Sequence, residues 1–180
     1  MIVGAGAIGG FVAARLHAAG ASVLLVEAND EHVEAIRERG LRVTGAETLH
    51  VRPRVLRPGE LRGEVRDVLL AVKARDTLRA LAPVAARLTS DGCIVSLQNG
   101  LEEYRIAATV GESRTLGAAL TFGGHYVQPG VIAYGGPGSL HLGELHGGTT
   151  ARLGRFAELL SLAHHVEVTD AIIGHLWGKT

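Results

Sequence analysis

The first forty residues alternate between short apolar runs and amphipathic stretches. Three apolar residues lead into a glycine-rich turn, and a helical pattern then continues to Gly20, a residue suited to ending a helix. Residues 22–26 form a second run of strand-forming residues, and Asn29 or Asp30 caps a second helix that Gly40 closes. This order of strand, helix, strand and helix predicts parallel strands joined by right-handed crossovers.

Three later apolar runs have the length of buried strands, and a helical pattern follows each of the first two. The runs are residues 67–72, 93–97 and 115–120. Continuous apolar runs without alternation are typical of strands that helices cover on both faces. The first of the helices, from about residue 76 to residue 88, contains Pro83, which we expect to kink or split it. The second spans residues 102–109.

The remaining segments depart from this alternation of buried strands and helices. Residues 41–61 contain short strand-like pieces broken by prolines, and we expect irregular strand and loop there. From Thr121 turn signals recur about every eight residues, which predicts short hairpin strands at the sheet edge. A helix over 151–162, a short strand over 165–168 and the start of a last helix follow. The whole pattern predicts an α/β, Rossmann-type fold: a doubly wound, mostly parallel sheet with helices on both faces and antiparallel edge strands.

The composition is that of one soluble domain with balanced charge. The chain has 180 residues, with 18 Lys and Arg against 18 Asp and Glu, so neither a nucleic acid nor an anionic membrane is an expected partner. Its single cysteine, Cys93, excludes an internal disulfide and a thiolate metal cage, which favours the reducing cytoplasm as its location. The nine histidines lack the spacing of known helical metal sites, and we expect no bound metal.

The glycine turn has the pattern G-x-G-x-x-G and lies between a predicted strand and a predicted helix. Its residues are Gly4, Ala5, Gly6, Ala7, Ile8 and Gly9. In a dinucleotide site the first glycine allows a tight turn, the second lets the backbone approach a pyrophosphate, and the third lets the helix lie close to the strand. The free N–H groups of the helix N-terminus then face the phosphates. We therefore predict that these residues bind the cofactor, the alternative being a tight turn without a ligand.

Glu27 stands at the tip of the second predicted strand, 18 residues after Gly9. A carboxylate at this place accepts hydrogen bonds from the adenosine ribose and lies against the 2′-phosphate of NADP. Glu27 is thus a predicted cofactor-binding residue that favours NADH. In the alternative interpretation, Glu27 points to solvent and an arginine such as Arg37 reaches the phosphate.

Two polar residues follow the carboxyl ends of predicted buried strands. Lys73 follows the first of these runs and Asn99 the second. Ligands bind beyond this edge of an open parallel sheet, so both are candidates for the cleft; the alternatives are a solvated lysine and a plain Asn-Gly turn. Of the 18 cations only Lys73 and Lys179 are lysines. Because an ammonium group gives up a proton more readily than a guanidinium group, Lys179 is a further candidate for chemistry.

Five stretches together resemble the ketopantoate reductase (2-dehydropantoate 2-reductase) family. They are GAGAIGG, AVKARDT, SLQNG, GPGSLHLGE and DAIIGHLWGKT, in order along the whole chain. The resemblance implies NAD(P)H-dependent reduction, usually with NADPH, of the C2 ketone of ketopantoate to D-pantoate, a step towards pantothenate and coenzyme A. It implies that Lys179 is the catalytic proton donor, that Asn99 contacts substrate and cofactor, and that Lys73 lies near both. Gly124 lies near the position of a family loop that passes the nicotinamide.

Three features depart from the family pattern. Glu27 and the residues after it replace an arginine-containing turn that commonly binds the NADP phosphate, and only three residues precede Gly4. The family continues into a helical second domain that supplies a catalytic glutamate, further substrate contacts and often a dimer interface. We expect residues 1–180 to form the dinucleotide-binding domain, ending at the start of the helix that leads into a C-terminal domain absent from the chain. A homodimer, and inactivity of this chain alone, both stay open.

Two other functions also stay open. The first is a 2-hydroxyacid dehydrogenase of the same superfamily that acts on another 2-keto acid. The second is a non-catalytic domain that senses dinucleotides, which predicts cofactor binding without oxidation and leaves the Trp177-Gly178-Lys179 motif unexplained.

Overall fold

A computed structural model describes residues 1–179, and strands and helices alternate through most of them. The strands are β1 (Ile2–Val3), β2 (Leu24–Val26), β3 (Leu41–Gly45), β4 (Leu49–Val51), β5 (Arg54–Leu56), β6 (Val65–Leu70), β7 (Leu88–Ser96), β8 (Thr115–Leu120), β9 (Gly124–Gln128), β10 (Val131–Tyr134), β11 (Leu140–Glu144) and β12 (Val166–Val168). The helices are α1 (Ala7–Ala18), α2 (Asp30–Arg39), α3 (Thr77–Ala85), α4 (Glu103–Val110), α5 (Ala151–Ser161) and α6 (Ile172–Lys179).

The main sheet has eight strands in the order β12-β11-β8-β7-β6-β1-β2-β5. Its central strands are parallel, with Ile2 of β1 paired to Leu25 of β2 on one side and Leu69 of β6 on the other. Strand β11 runs antiparallel to β8 and parallel to the edge strand β12. The chain goes from β1 to β2 on one side and later crosses to β6 on the other, so the topological switch point lies between β1 and β6. The predicted α/β fold with a mostly parallel sheet is confirmed.

A second sheet of four strands, in the order β4-β3-β10-β9, differs from the prediction. We expected irregular strand and loop in residues 41–61 and hairpin strands at the edge of the main sheet after Thr121. Instead β9 and β10 form a hairpin that joins β3, which runs parallel to β10 with Arg42 opposite Val131. The pairing joins strands that lie almost ninety positions apart in sequence, and no local pattern predicts it. Only β11 and β12, from the later part of the chain, lie at the far side of the main sheet.

Helix α1 is covered on several sides because it lies between the two sheets. It packs against β3, β4 and β10 of the second sheet as well as against β1 and α5. Seven of its twelve residues are buried: Gly9, Gly10, Phe11, Val12, Ala13, Ala14 and Leu16. Such a helix is apolar nearly all round, as expected for burial on more than one face. The opposite face of the main sheet is covered by α3 and α4, with Leu81, Val84 and Ile106 in its core.

The helix ends agree with the predicted capping residues in part. Asn29, rather than Asp30, caps α2, since its side chain accepts a hydrogen bond from the His32 N–H at 3.1 Å. Gly40 follows α2 with a φ of 81°, a left-handed conformation suited to glycine. Pro83 does not split α3, which is continuous and ends at Ala85, three residues earlier than predicted. Within residues 1–179, no helix has both the length and the apolarity needed to cross a membrane.

Candidate dinucleotide cleft and active site

The glycine turn connects β1 to α1 at the switch point of the main sheet. Gly4 has a φ of 94°, so the tight turn requires a residue without a side chain. A Cβ on Gly9 would overlap the carbonyl oxygen of Gly4, which is the close helix-to-strand approach expected of a third glycine. A Cβ on Gly6 would meet no atom within 4 Å, because this residue faces open space. Gly6 caps α1 without any side-chain hydrogen bond, which leaves the first N–H groups of the helix available to a ligand.

A cleft of about 820 Å³ opens beyond the carboxyl ends of β1, β2, β6 and β7. It runs from Glu27 past the glycine turn to Asn99, with Lys73 between them. Apolar walls come from residues of β1, β2 and α3, among them Val3, Val26 and Pro83. Its volume falls in the range of small-molecule and cofactor sites, and its position is the one at which open α/β sheets bind ligands.

Glu27 lies at the mouth of this cleft and its carboxylate is held by three backbone N–H groups. Ala5 donates to Oε2 at 2.7 Å, while Ala28 and Asn29 donate to Oε1 at 2.7 and 2.8 Å. The side chain thus turns towards the glycine turn rather than into solvent. The carboxylate is fixed where the second strand ends, and it brings a negative charge to that end of the cleft.

Arg37 and Arg57 are engaged with carboxylates outside the lining of the cleft, whereas Arg79 lines the cleft and pairs with Asp76. Arg37 forms ion pairs with Glu34 and Glu60, and donates to the Val55 carbonyl at 3.3 Å. Arg57 also contacts Glu34 and Glu60, and hydrogen bonds with acidic side chains raise its pKa further above its already high ordinary value. Arg37 does not line the cleft.

Lys73 and Gln98 belong to neighbouring segments at the carboxyl ends of β6 and β7. Lys73 is exposed in the cleft and precedes a short 3-10 turn that leads into α3. Gln98 is buried, and its Nε2 donates to the Val72 carbonyl at 2.9 Å and to the Thr77 hydroxyl at 2.8 Å. Gln98 therefore ties the segment that carries Lys73 to the segment that carries Asn99.

Lys179 and Asn99 come together at the end of the cleft although 80 positions separate them in sequence. Lys179 Nζ donates to Asn99 Oδ1 at 2.7 Å. Helix α6 reaches this place because its buried residues Ile172 and Leu176 pack on Ala119 of β8. Partial burial of the ammonium group lowers the pKa of Lys179 below its ordinary value. The pair thus offers a hydrogen-bonded amine and an amide side by side, with the amine shifted towards the range of a proton donor at neutral pH.

Three of the predicted cofactor-binding residues do not line the cleft. Ala5 and Gly9 are buried behind it, where Ala5 bonds to Glu27 and Gly9 packs against Gly4. Gly124 begins β9 and faces Ala7 of the glycine turn, where an added Cβ would lie 3.5 Å from the Ala7 Cβ. The other members of the glycine turn, Gly4, Gly6, Ala7 and Ile8, line the cleft.

Two buried polar residues near the site were not predicted. His32 lies behind the glycine turn, and Glu103 lies under α6, where its Cγ would be 3.4 Å from a Cβ on Gly117. The amphipathic pattern of α2 placed His32 beside the buried positions Val33 and Ile36, which is the one signal that pointed to it. Nothing in the sequence marked Glu103 as buried.

Residues 1–179 contain neither a cluster of potential metal ligands nor an exposed thiol. No group of three or more His, Cys, Asp or Glu side chains suited to a metal ion occurs in the described part of the chain. Burial raises the pKa of Cys93 to about 11, so its thiol stays protonated.

A glycine turn at the switch point of a doubly wound sheet, opening onto a cleft along the carboxyl edge, defines a Rossmann-type dinucleotide-binding domain. The family model for ketopantoate reductase PanE/ApbA matches residues 1–147. The chain belongs to this family. The 2-dehydropantoate 2-reductase of Pyrococcus abyssi is 32% identical over 181 residues, and that of Archaeoglobus fulgidus is 31% identical over 182 residues. Each match covers 99% of this chain, and the chain spans 58% of the length of either relative.

Solved structures show the same fold. A PanE/ApbA family ketopantoate reductase from Ralstonia eutropha superposes with a TM-score of 0.85 at 28% identity, over 99% of this chain and 60% of that one. D-mandelate dehydrogenase, in a ternary structure with NADH and anilino(oxo)acetate, superposes with a TM-score of 0.89 at 24% identity, over 98% of this chain and 59% of that one. The second likeness concerns the fold alone.

Proposed function

We propose that this chain is the dinucleotide-binding part of a 2-dehydropantoate 2-reductase, which reduces the C2 ketone of ketopantoate to D-pantoate. The observation that carries the proposal is the 2.7 Å hydrogen bond between Lys179 and Asn99 at the end of the cleft. Membership of the family and the relatives' common name supply the reaction and its substrate.

The cleft fits a dinucleotide along its whole length. The open space at Gly6 lets a pyrophosphate approach the backbone, and the uncapped N-terminus of α1 offers N–H groups and the positive end of the helix dipole. Glu27 lies at the adenosine end and Asn99 at the opposite end. These features support binding of a dinucleotide in the cleft.

The chain's own side chains orient the substrate and move one proton. A reduced nicotinamide held in the cleft would supply the hydride that C2 of the ketone accepts. Lys179 donates the proton that the developing alkoxide oxygen takes up, which completes the hydroxyl group of the product. Asn99 fixes the ammonium group through the hydrogen bond to its Oδ1, and its Nδ2 is left to contact the substrate or the nicotinamide amide. Lys73, exposed between them and the glycine turn, adds a positive charge for the substrate carboxylate.

Glu27 supports NADH as the preferred cofactor. Its carboxylate is held in place by the N–H groups of Ala5, Ala28 and Asn29, so it cannot swing away from the ribose without losing these bonds. A 2′-phosphate at this place meets a fixed like charge. Arg37, which the alternative interpretation assigned to the 2′-phosphate, forms ion pairs with Glu34 and Glu60 instead. This preference for NADH differs from the use of NADPH that is usual in the family.

The test is turnover of ketopantoate by the full-length gene product, with NADH and NADPH compared and simpler 2-keto acids as competitors. Lys179→Ala is expected to lower kcat by about 10²- to 10⁴-fold, the usual contribution of a positioned acid, with cofactor affinity unchanged. Lys179→Arg is the matched control: it keeps the positive charge but holds its proton too tightly to donate it, and kcat stays low.

Three results would contradict this assignment in different ways. Turnover that survives in Lys179→Ala removes the proposed acid. Faster reduction of another 2-keto acid than of ketopantoate indicates the related 2-hydroxyacid dehydrogenase. Cofactor binding without oxidation in the presence of any keto acid indicates a sensing domain.

A further inference from the structure

His32 is a buried side chain that joins the glycine turn to the second sheet. It lies in the first turn of α2 with 1% of its surface exposed. Its Nε2 is 2.9 Å from the Ala5 carbonyl oxygen, and its Nδ1 is 2.9 Å from the N–H of Gly130. Tyr126 of β9 packs edge-on against the ring at 5.1 Å between centroids. One imidazole thus connects two segments that lie 125 positions apart in sequence.

The two partners fix the form of the ring. A backbone N–H can only donate, so the Gly130 N–H requires a free lone pair on Nδ1. The Ala5 carbonyl can only accept, so it requires a hydrogen on Nε2. Both demands are met by a single species, the neutral imidazole with its proton on Nε2.

The same arrangement also holds Ala5, the residue between the first two glycines of the turn. Its N–H donates to Glu27 at 2.7 Å and its carbonyl accepts from His32 at 2.9 Å. Gly4 and Gly6 have no side chains to anchor the turn, so it is held to neighbouring elements by these two bonds and by the hydrogen bond from the Gly4 N–H to the Val26 carbonyl at 2.8 Å. The Ala5 carbonyl belongs to the peptide group that joins Ala5 to Gly6, and Gly6 lines the cleft.

We propose that His32 is a positioning residue of the cofactor site, which through its Nε2–H holds the Ala5 carbonyl so that the N–H groups following Gly6 point at the dinucleotide phosphates. The inference rests on the proposed function, because it assumes that the cleft binds a dinucleotide. The hydrogen bond from the Gly130 N–H sets the tautomer of the His32 ring. Through this bond the second sheet stabilises the glycine turn, although the turn is not part of that sheet.

Two variants separate the bonds of His32. In His32→Gln the side-chain amide donor reaches the position of Nε2, but the acceptor for the Gly130 N–H is lost. Asn reaches the place of Nδ1 with an acceptor and loses the donor for Ala5. Each variant leaves one buried polar group unpaired, so we expect a similar loss of thermal stability in both.

The affinities for NADH and NADPH are then measured by calorimetric titration of wild type, His32→Gln and His32→Asn. We expect His32→Asn to weaken binding by about tenfold, a change that corresponds to about 1.4 kcal/mol, and His32→Gln to stay within about twofold of wild type. Equal affinities in the two variants, at equal loss of stability, overturn the positioning role. Absence of binding by the wild type overturns the proposed function, and this inference with it.

A measurement on the wild type keeps the inference testable if neither variant folds. Long-range ¹H–¹⁵N correlation spectra distinguish the two neutral tautomers of a histidine ring directly. The expected result is protonation on Nε2 with a bare Nδ1. A proton on Nδ1 would overturn the inference.

Discussion

Glu103 is a buried carboxylic acid, and burial destabilises its ionised form. Replacing it tests whether burial governs its titration. The residue begins α4 and has no exposed surface. Neither carboxyl oxygen has a hydrogen-bond partner of good geometry in residues 1–179. Burial raises the pKa of Glu103 from 4.5 to about 7, against smaller opposing effects of its own backbone N–H and the Ser96 hydroxyl. The change we consider is Glu103→Gln, which keeps the shape and removes the titration.

The size of the effect follows from the shift. Because the folded chain binds this proton more tightly than the unfolded chain does, the stabilisation from Glu103 is full below pH 4.5 and is lost as pH rises to about 7. A shift from 4.5 to about 7 corresponds to about 3 kcal/mol between the two limits. Glu103→Gln has no titrating group at this position, so it does not lose this stabilisation as pH rises. The variant should therefore be about 2 to 3 kcal/mol more stable relative to wild type at pH 8 than at pH 5.

The assay is reversible urea unfolding of both proteins at pH 5 and pH 8. All other titrating groups are shared, so their contributions cancel in the difference between wild type and variant. Glu158→Gln, at an exposed position on α5, is the matched control and should show no such dependence. If Glu103→Gln gains no stability over wild type between pH 5 and pH 8, burial does not govern this carboxyl group and the reasoning fails.

Further predictions concern the glycine turn and Glu27. Gly9→Ala should lower the free energy of unfolding by about 3 kcal/mol in urea, because its Cβ overlaps the Gly4 carbonyl and the close-packed interior resists the extra volume. Gly6→Ala should leave stability within about 0.5 kcal/mol yet weaken dinucleotide binding, since its Cβ projects into open space in the cleft; unchanged binding would place the pyrophosphate elsewhere. Glu27→Gln should raise the ratio of NADPH to NADH affinity by about tenfold in parallel titrations, whereas Glu31→Gln, an exposed control outside the cleft, should leave that ratio alone.

The elements that the sequence predicted are those whose signals are local. The order β1, α1, β2 and α2 follows from apolar runs, glycine positions and a cap within forty residues. The pairing of β3 with β10 is different, because each strand is short and its partner is almost ninety residues away. Pairing between distant strands leaves no mark that a periodicity can reveal.

The candidate site divides in the same way. Glu27 and the glycines follow from their spacing, and the structure places Glu27, Gly4 and Gly6 at one cleft, with Gly9 packed behind it. Lys179 could be joined to Asn99 only through the family resemblance, since the hydrogen bond between them depends on how α6 docks on β8. His32 escaped prediction because its burial depends on hydrogen bonds to Ala5 and Gly130, which come from other parts of the chain. Glu103 escaped prediction because its burial depends on packing near β8 and α6, which are distant in sequence.

The placement of α1 between two sheets has a consequence for the order in which the protein folds. Helix α1 ends at Ala18, but part of its cover is β10, which begins at Val131. During synthesis the apolar helix therefore leaves the ribosome long before the strand that shields it. Contacts of such high sequence separation form late, because loop closure must precede them. We expect the amide hydrogens of α1 to gain full protection from exchange only in the last step of folding.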